Sequence, residues 1–313
     1  MLKKTGGYIL LGCFIYASLI LAGCKYGEMH SVTTIGQVTI GVDENESPVI
    51  KKETDEFMRL NKDSKITSVV KTTNELFADL MNGDIKTIIT DRDFNPQENE
   101  YLQKYKIEVK KNVVATNGIA IIVNPANTLT KLNFDEMRKI FTGETTDWAN
   151  LEGDNKDVYK GKIKPYIARK NSMLHDYFKE KVLLNNDYYK NDLICSTSTQ
   201  MLNEIRNDKY GIGFISMSWI TKFADTLDTT IKPLRVAAAD STGLKGDYVG
   251  LHQAYIANRS YPLIFEVYCL SRDFEMDVSV GLISFLLAYD GQKIILNSGL
   301  VPQTQPVRII QLN

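Results

Sequence analysis

Apolar residues alternate along residues 37–42, where Val38, Ile40 and Val42 share a face, and this predicts a strand. Ser47-Pro48 then starts a helix with Pro in its first turn and Ile50, Thr54, Phe57 and Leu60 at helical spacing. Residues 65–70 read as a second strand, and Leu76, Phe77, Leu80 and Met81 form a helical stripe stopped by Asn82-Gly83. Residues 85–90 read as a buried strand ending at Asp91-Arg92, and Asn95-Pro96 opens a helix to about Lys104. Repeated strand–loop–helix units predict a parallel sheet with helices on both faces. Ligands of such sheets gather beyond the carboxyl ends of the strands. Those ends are residues 43–47, 71–74 and 91–92, three polar loops expected at one edge.

The second half continues the α/β pattern. Residues 118–123 form an unbroken apolar strand, Asn133 caps a short helix with Met137, Ile140 and Phe141 inward, and Gly143 ends it. Strands are predicted over residues 165–168, 193–197, 211–218, 231–237 and 261–270. Helices are predicted from Asn171 or Ser172 to about Leu184, from Ser198 or Thr199 with Met201, Leu202 and Ile205 inward, over 278–288, and over 291–297. There is no internal repeat and no flexible linker, so two lobes would be joined by crossing strands.

With 313 residues the chain can form one large or two ordinary domains. A formal net charge of −1 offers no basic excess for nucleic acid. The first residues carry an address. Lys3 and Lys4 precede an apolar run over 8–21 that closes with Leu21-Ala22-Gly23-Cys24, which resembles a bacterial lipobox. The run is short for a transmembrane anchor. The expectation is a signal peptide over 1–23, a lipidated Cys24 holding the protein to a membrane, and a tether over 24–34. Cys195 and Cys269 remain in the mature chain; two buried thiols are expected, and spacing alone leaves a disulfide open. His30, His175 and His252 are scattered and suggest no metal cluster, and His175 reads as a partly exposed helix residue. Cys195-Ser196 has no accompanying base motif or Gly-x-Ser-x-Gly elbow, so catalysis is not expected.

Residues 163–178 carry the strongest candidate chemistry. A strand ends in Arg169 and a capped helix starts at once, so the free N–H groups of the first helical turn and a two-pronged guanidinium can meet one oxyanion.

Several motifs in order resemble the phosphate-binding proteins of bacterial ABC importers. Residues 132–148 are similar to that family's LT…IF.G…W pattern, Arg169 to Ser172 stand at its Arg-x-x-Ser-Gly-Thr loop, and 211–215 match its Gly-x-Ile-Gly-Tyr strand. The ending 299–308 resembles the Bacteroidetes lipoprotein branch. The resemblance covers about 36–310 and implies a type II periplasmic-binding fold, two α/β lobes with a ligand cleft between them. Lobe 1 would be 35–124 plus 253–313 and lobe 2 125–252, with hinges near Asn124 and His252. It implies a non-enzymatic, cofactor-free monomer at the cell envelope that takes inorganic phosphate or a similar oxyanion to a permease. Arg169 and Ser172 would bind the anion, with the backbone of Met173 and Leu174 standing where the family has Gly-Thr. Asp91 would accept a hydrogen bond from a protonated oxygen of the anion, and Thr72 or Thr73 would add a hydroxyl. The first loop departs from the family: Asp43-Glu44-Asn45-Glu46 replaces a hydroxyl-rich turn, leaving Asn45 as its candidate donor. Carboxylates there would repel an anion. The competing expectation is a binding-fold lipoprotein with no small-anion ligand, its cleft filled by those side chains.

Overall fold

The computed structural model describes residues 32–151, 155, 159–224, 226–238, 246–272 and 275–304. The expected signal segment, Cys24 and the end of the 299–308 motif lie outside the described residues.

Strand β1 (Gly36–Asp43) leads through a one-turn 3₁₀ helix (Glu44–Glu46) into α1 (Ser47–Leu60). Strand β2 (Ser64–Lys71), α2 (Thr73–Asn82), β3 (Thr87–Thr90) and α3 (Pro96–Tyr105) repeat the unit. Gly83 ends α2 at φ 86, where a residue without Cβ carries no strain. The long β4 (Val109–Val123) follows, then β5 (Lys131–Asn133), α4 (Phe134–Phe141), β6 (Lys164–Ala168) and α5 (Met173–Lys181). Next come β7 (Leu193–Cys195), α6 (Ser198–Asn207) and β8 (Gly211–Ser216), then short strands β9 (Thr221–Phe223), β10 (Thr226–Leu227), β11 (Lys232–Pro233) and β12 (Arg235–Ala237). The chain returns through α7 (Gln253–Ala257), β13 (Ile264–Arg272), α8 (Val278–Leu287), α9 (Tyr289–Asn297) and β14 (Val301–Pro302).

The main sheet runs β2-β1-β3-β13-β4-β8-β6-β7, with β11 and β14 also on β4. It is mixed rather than parallel throughout. β1 is parallel to β2 and β3, and β6 is parallel to β7 and β8, but β13 comes back from late in the chain and pairs antiparallel with both β3 and β4. β4 belongs to both halves: residues 109–118 pair with β13 and residues 119–123 with β8. Its wholly buried run Ile119, Ala120, Ile121, Ile122 and Val123 is the centre of the core. At the changeover, a Cβ on Gly118 would come within 2.9 Å of Ile256, so a side chain there would crowd α7.

Three sequence expectations are corrected. The strand expected over 231–237 is two, β11 and β12, because Pro233 has no N–H for the ladder and Leu234 turns its own to Ile121 O. The helix expected to reach Leu184 ends at Lys181, and Leu184 and Asn185 follow at φ 52 and 67. His175 is buried, with Nδ1 2.8 Å from Asp176 Oδ1. Cys195 and Cys269 are free, buried thiols.

Candidate functional site

The three polar loops converge as their strand order requires, because β1 lies between β2 and β3. The floor they make is acidic. Asp43 accepts the Asn45 backbone N–H and Nδ2–H on Oδ1 at 3.1 and 3.0 Å, and the Thr73 hydroxyl on Oδ2 at 2.5 Å. Asn45 Nδ2 also donates to Asp91 Oδ2 at 2.6 Å. Behind them Glu46 Oε1 accepts Asn117 Nδ2–H at 2.7 Å, and Asn117 also donates to Ser216 Oγ. Asp43, Glu46 and Asp91 are all buried; among the described residues Asp91 Oδ1 and Glu46 Oε2 receive no N–H or hydroxyl donor, and Asp91 lies close enough to Asp43 and Glu46 to share a proton with either. Burial pushes Asp43 up to about 6 against the pull of its Thr73 and Asn45 bonds. Burial, with the Asp43 charge adding, pushes Glu46 up to about 8 despite its Asn117 bond. Asp91 is held well above the usual carboxylate range by burial and then by the Asp43 and Glu46 charges.

The facing wall supplies donors. Strand β6 delivers Ala168 and Arg169 to the edge, Asn171 turns the chain at φ 68, and Ser172 caps α5. The Ser172 hydroxyl donates to Arg169 O at 2.7 Å and accepts His175 N–H at 3.4 Å. Phe178 stacks on Phe214 of β8, centroids 4.2 Å apart, and fixes where α5 begins. Arg169 keeps 39% of its side-chain surface exposed, and its Nη2 lies 4.0 Å from Glu75 Oε2. A second strand-to-helix turn stands beside it: β7 ends at Cys195, Thr197 caps α6, and Ser198 receives Glu44. Glu44 Oε1 accepts Ser198 N–H at 2.9 Å, and Oε2 accepts the Ser198 hydroxyl at 2.7 Å.

Between the walls lies a cavity of about 30 Å³. One water needs roughly 10–15 Å³, so the space suits a very small solute. Asn45, Thr72, Arg169, Ser172 and Leu174 line it, as do Asp43, Glu44 and residues 195–198. Arg169 is the one cation among the described residues of that lining.

Other candidates are placed elsewhere or already engaged. Thr72 gives both its N–H and its hydroxyl to Glu75, at 2.9 and 2.5 Å, as the start of α2. Thr73 faces Asp43, and the Met173 N–H, a candidate ligand donor, goes to Thr73 Oγ1 at 3.0 Å. Asp91 lies behind Asn45 rather than on the cavity wall, and Arg92 pairs with Glu98 at 2.7 Å instead of with Asp91. The turn at 196–198 is absent from the sequence candidates, although its signal is the one that singles out Arg169: a strand end followed at once by a hydroxyl cap.

The family described as a PBP superfamily domain matches residues 28–288. The chain is 27% identical over 177 residues to Protein SphX of Synechococcus elongatus, covering 55% of this chain and 51% of SphX. It is 19% identical over 298 residues to the phosphate-binding protein PstS of Borreliella burgdorferi, covering 93% and 97%. The chain spans from about half to two thirds of the length of the first curated relatives it matches. An ABC-type phosphate transport receptor from Vibrio cholerae superposes with a TM-score of 0.63 at 18% identity, covering 84% of this chain and 99% of the receptor. A protein from Clostridium perfringens solved with bound phosphate gives 0.71 at 20% identity, covering 85% and 99%. The two structural likenesses concern the fold. The chain belongs to the PBP superfamily and is PstS-like.

Proposed function

We propose that the chain is a non-catalytic solute-binding protein that captures inorganic phosphate, or a closely related oxyanion, and presents it to an ABC importer. The observation that carries the reading is the Arg169–Ser172 turn, a half-exposed guanidinium beside a capped helix start on a small cavity. Relatives named as phosphate-binding proteins support the ligand class. Asp43, rather than Asp91, is the floor acid that a proton-bearing anion would meet. The lobes would be 35–124 plus 253–313 and 125–252, and the change of β4 partner after Gly118 supports a crossing at that strand. Cys24 would tether a monomer to a membrane of the cell envelope, facing the periplasm or the extracellular side, as in the Bacteroidetes lipoprotein branch. Calorimetric titration with phosphate, sulfate and arsenate tests the reading. A phosphate heat that sulfate fails to reproduce is expected, and no heat from any of the three overturns it.

One observation favours a second reading, an interaction or sensing module without a small anion. Carboxylates of the first loop fill the floor and take donors that an anion would use. Under that reading none of the three anions shifts the melting temperature.

A further inference from the structure

Glu44 crosses the cavity. It leaves the first loop, which one short turn, Met217–Trp219, holds by two adjacent carbonyls: Trp219 Nε1–H donates to Glu44 O at 3.0 Å, and Ser218 Oγ–H donates to Asn45 O. From that fixed base the side chain reaches Ser198, 154 positions away in sequence, and both carboxylate oxygens are matched to donors of one residue. The contact resembles what a bound oxyanion would make, with a backbone N–H at a helix start and a neighbouring hydroxyl. Glu44 also lines the same cavity as Arg169 and Ser172, so an anion held by those residues would share a small space with a carboxylate. At roughly 4 Å and an effective dielectric near 20 that proximity is strongly unfavourable. Beside the cavity, the Met173 N–H donates to Thr73 Oγ1 and links the same two groups of elements.

We infer that Glu44 is an intramolecular occupant of the cleft: its carboxylate bridges the walls through Ser198 and sets selectivity, because an incoming oxyanion must displace it. The inference rests on the oxyanion reading for its competition half but not for its bridging half. A ligand rich enough in acceptor oxygens and negative charge to expel a carboxylate gains entry, and weaker anions do not.

The test uses the full chain, with Glu44→Ala and Glu44→Asp. The second keeps the charge and shortens the reach by one methylene. Hydrogen–deuterium exchange without added phosphate reads the bridge, and calorimetry with inorganic phosphate reads the competition. Both variants are expected to exchange at least tenfold faster over residues 196–201 and 171–176, with unchanged protection over 119–123 showing an intact core. Glu44→Ala is expected to bind phosphate at least tenfold more tightly, and Glu44→Asp to gain less. Unchanged exchange at 196–201 overturns the bridge whatever phosphate does. Faster exchange with unchanged or weaker phosphate binding overturns the competition. Faster exchange with no phosphate heat from any form upholds the bridge and defeats the phosphate reading instead.

Discussion

The two walls of the cavity are built from opposite chemistry. The wall from β6 and β7 ends in two hydroxyl-capped helix starts and Arg169, a set of donors awaiting negative charge. The wall after β1 brings Asp43 and Glu44, with Glu46 and Asp91 buried behind it, and several donors are spent on it: Thr73 and Asn45 on Asp43, Ser198 on Glu44. Two unit charges about 4 Å apart cost or gain roughly 4 kcal/mol at an effective dielectric near 20, so the acidic wall can cancel the attraction of one guanidinium. The difference teaches that a helix start with an arginine is insufficient evidence of a ready anion site. What matters is which of its donors remain unspent, and here Arg169 is the principal one.

The largest expected effect follows directly. Arg169→Ala should weaken phosphate binding by about 10- to 150-fold, the loss of a charge-assisted contact of about 1.5–3 kcal/mol. Stability should hardly change, because the side chain is 39% exposed and approaches Glu75 only at 4.0 Å. Titration of wild type and variant at equal ionic strength, with melting temperatures alongside, checks both. Equal affinities would mean that the donor wall does not hold the ligand.

The acidic wall makes a prediction in pH. Asp43 is raised to about 6 and Glu46 to about 8, so the folded protein keeps protons that an unfolded chain releases near pH 4. Raised acids favour the folded state fully below the unfolded value, and that advantage is lost as pH climbs through the folded one. Stability should therefore fall as pH rises between about 4 and 8. Phosphate affinity should fall over the upper part of the same window as the floor becomes more negative. Asp91→Asn breaks the pattern: its carbonyl can keep the Asn45 bond while its amide can donate to the neighbouring Asp43 or Glu46 carboxylate. The variant should be about 1–3 kcal/mol more stable than wild type at pH 8 and much closer to it at pH 5. Urea denaturation at both values is the measurement, and an equal gain at both would remove the acid cluster as the cause.

Much of this frame is legible in sequence because its signals are local. The alternation of Val38, Ile40 and Val42, the stripe Leu76, Phe77, Leu80 and Met81, and the cap at Ser172 each report on neighbours within a few residues. The first part of β4 escapes because Lys110, Lys111 and Asn112 break its apolar pattern, and pairing with β13 makes it a strand. The mixed sheet escapes for the same reason, since β13 enters from late in the chain. At the site, Arg169 and Ser172 are readable, whereas the Glu44–Ser198 contact depends on chain closure over 154 positions. The choice between Thr72 and Thr73 also needs the fold: Thr72 turns to Glu75, three residues on, and Thr73 turns to Asp43.

The smallest effect asks whether the donor wall is itself partly spent. Ser172 gives its hydroxyl hydrogen to Arg169 O at 2.7 Å, and its cap bond from His175 N–H is long, 3.4 Å. Ser172→Ala should thus cost only about 0.5–1 kcal/mol of stability, the low end for a lost N-cap. If Ser172 acts only as turn and cap, phosphate affinity should move less than twofold beyond what the loosened Arg169 backbone produces. If the hydroxyl swings from Arg169 O to the ligand on binding, affinity should fall by roughly the tenfold that one neutral hydrogen bond supports. Titrating Ser172→Ala and Ser172→Thr together separates the cases, since threonine keeps the hydroxyl and the cap. A loss in alanine restored by threonine, with the threonine variant melting as the wild type does, would make Ser172 a second unspent donor and confine the internal neutralisation to the side of the cavity that Glu44 reaches.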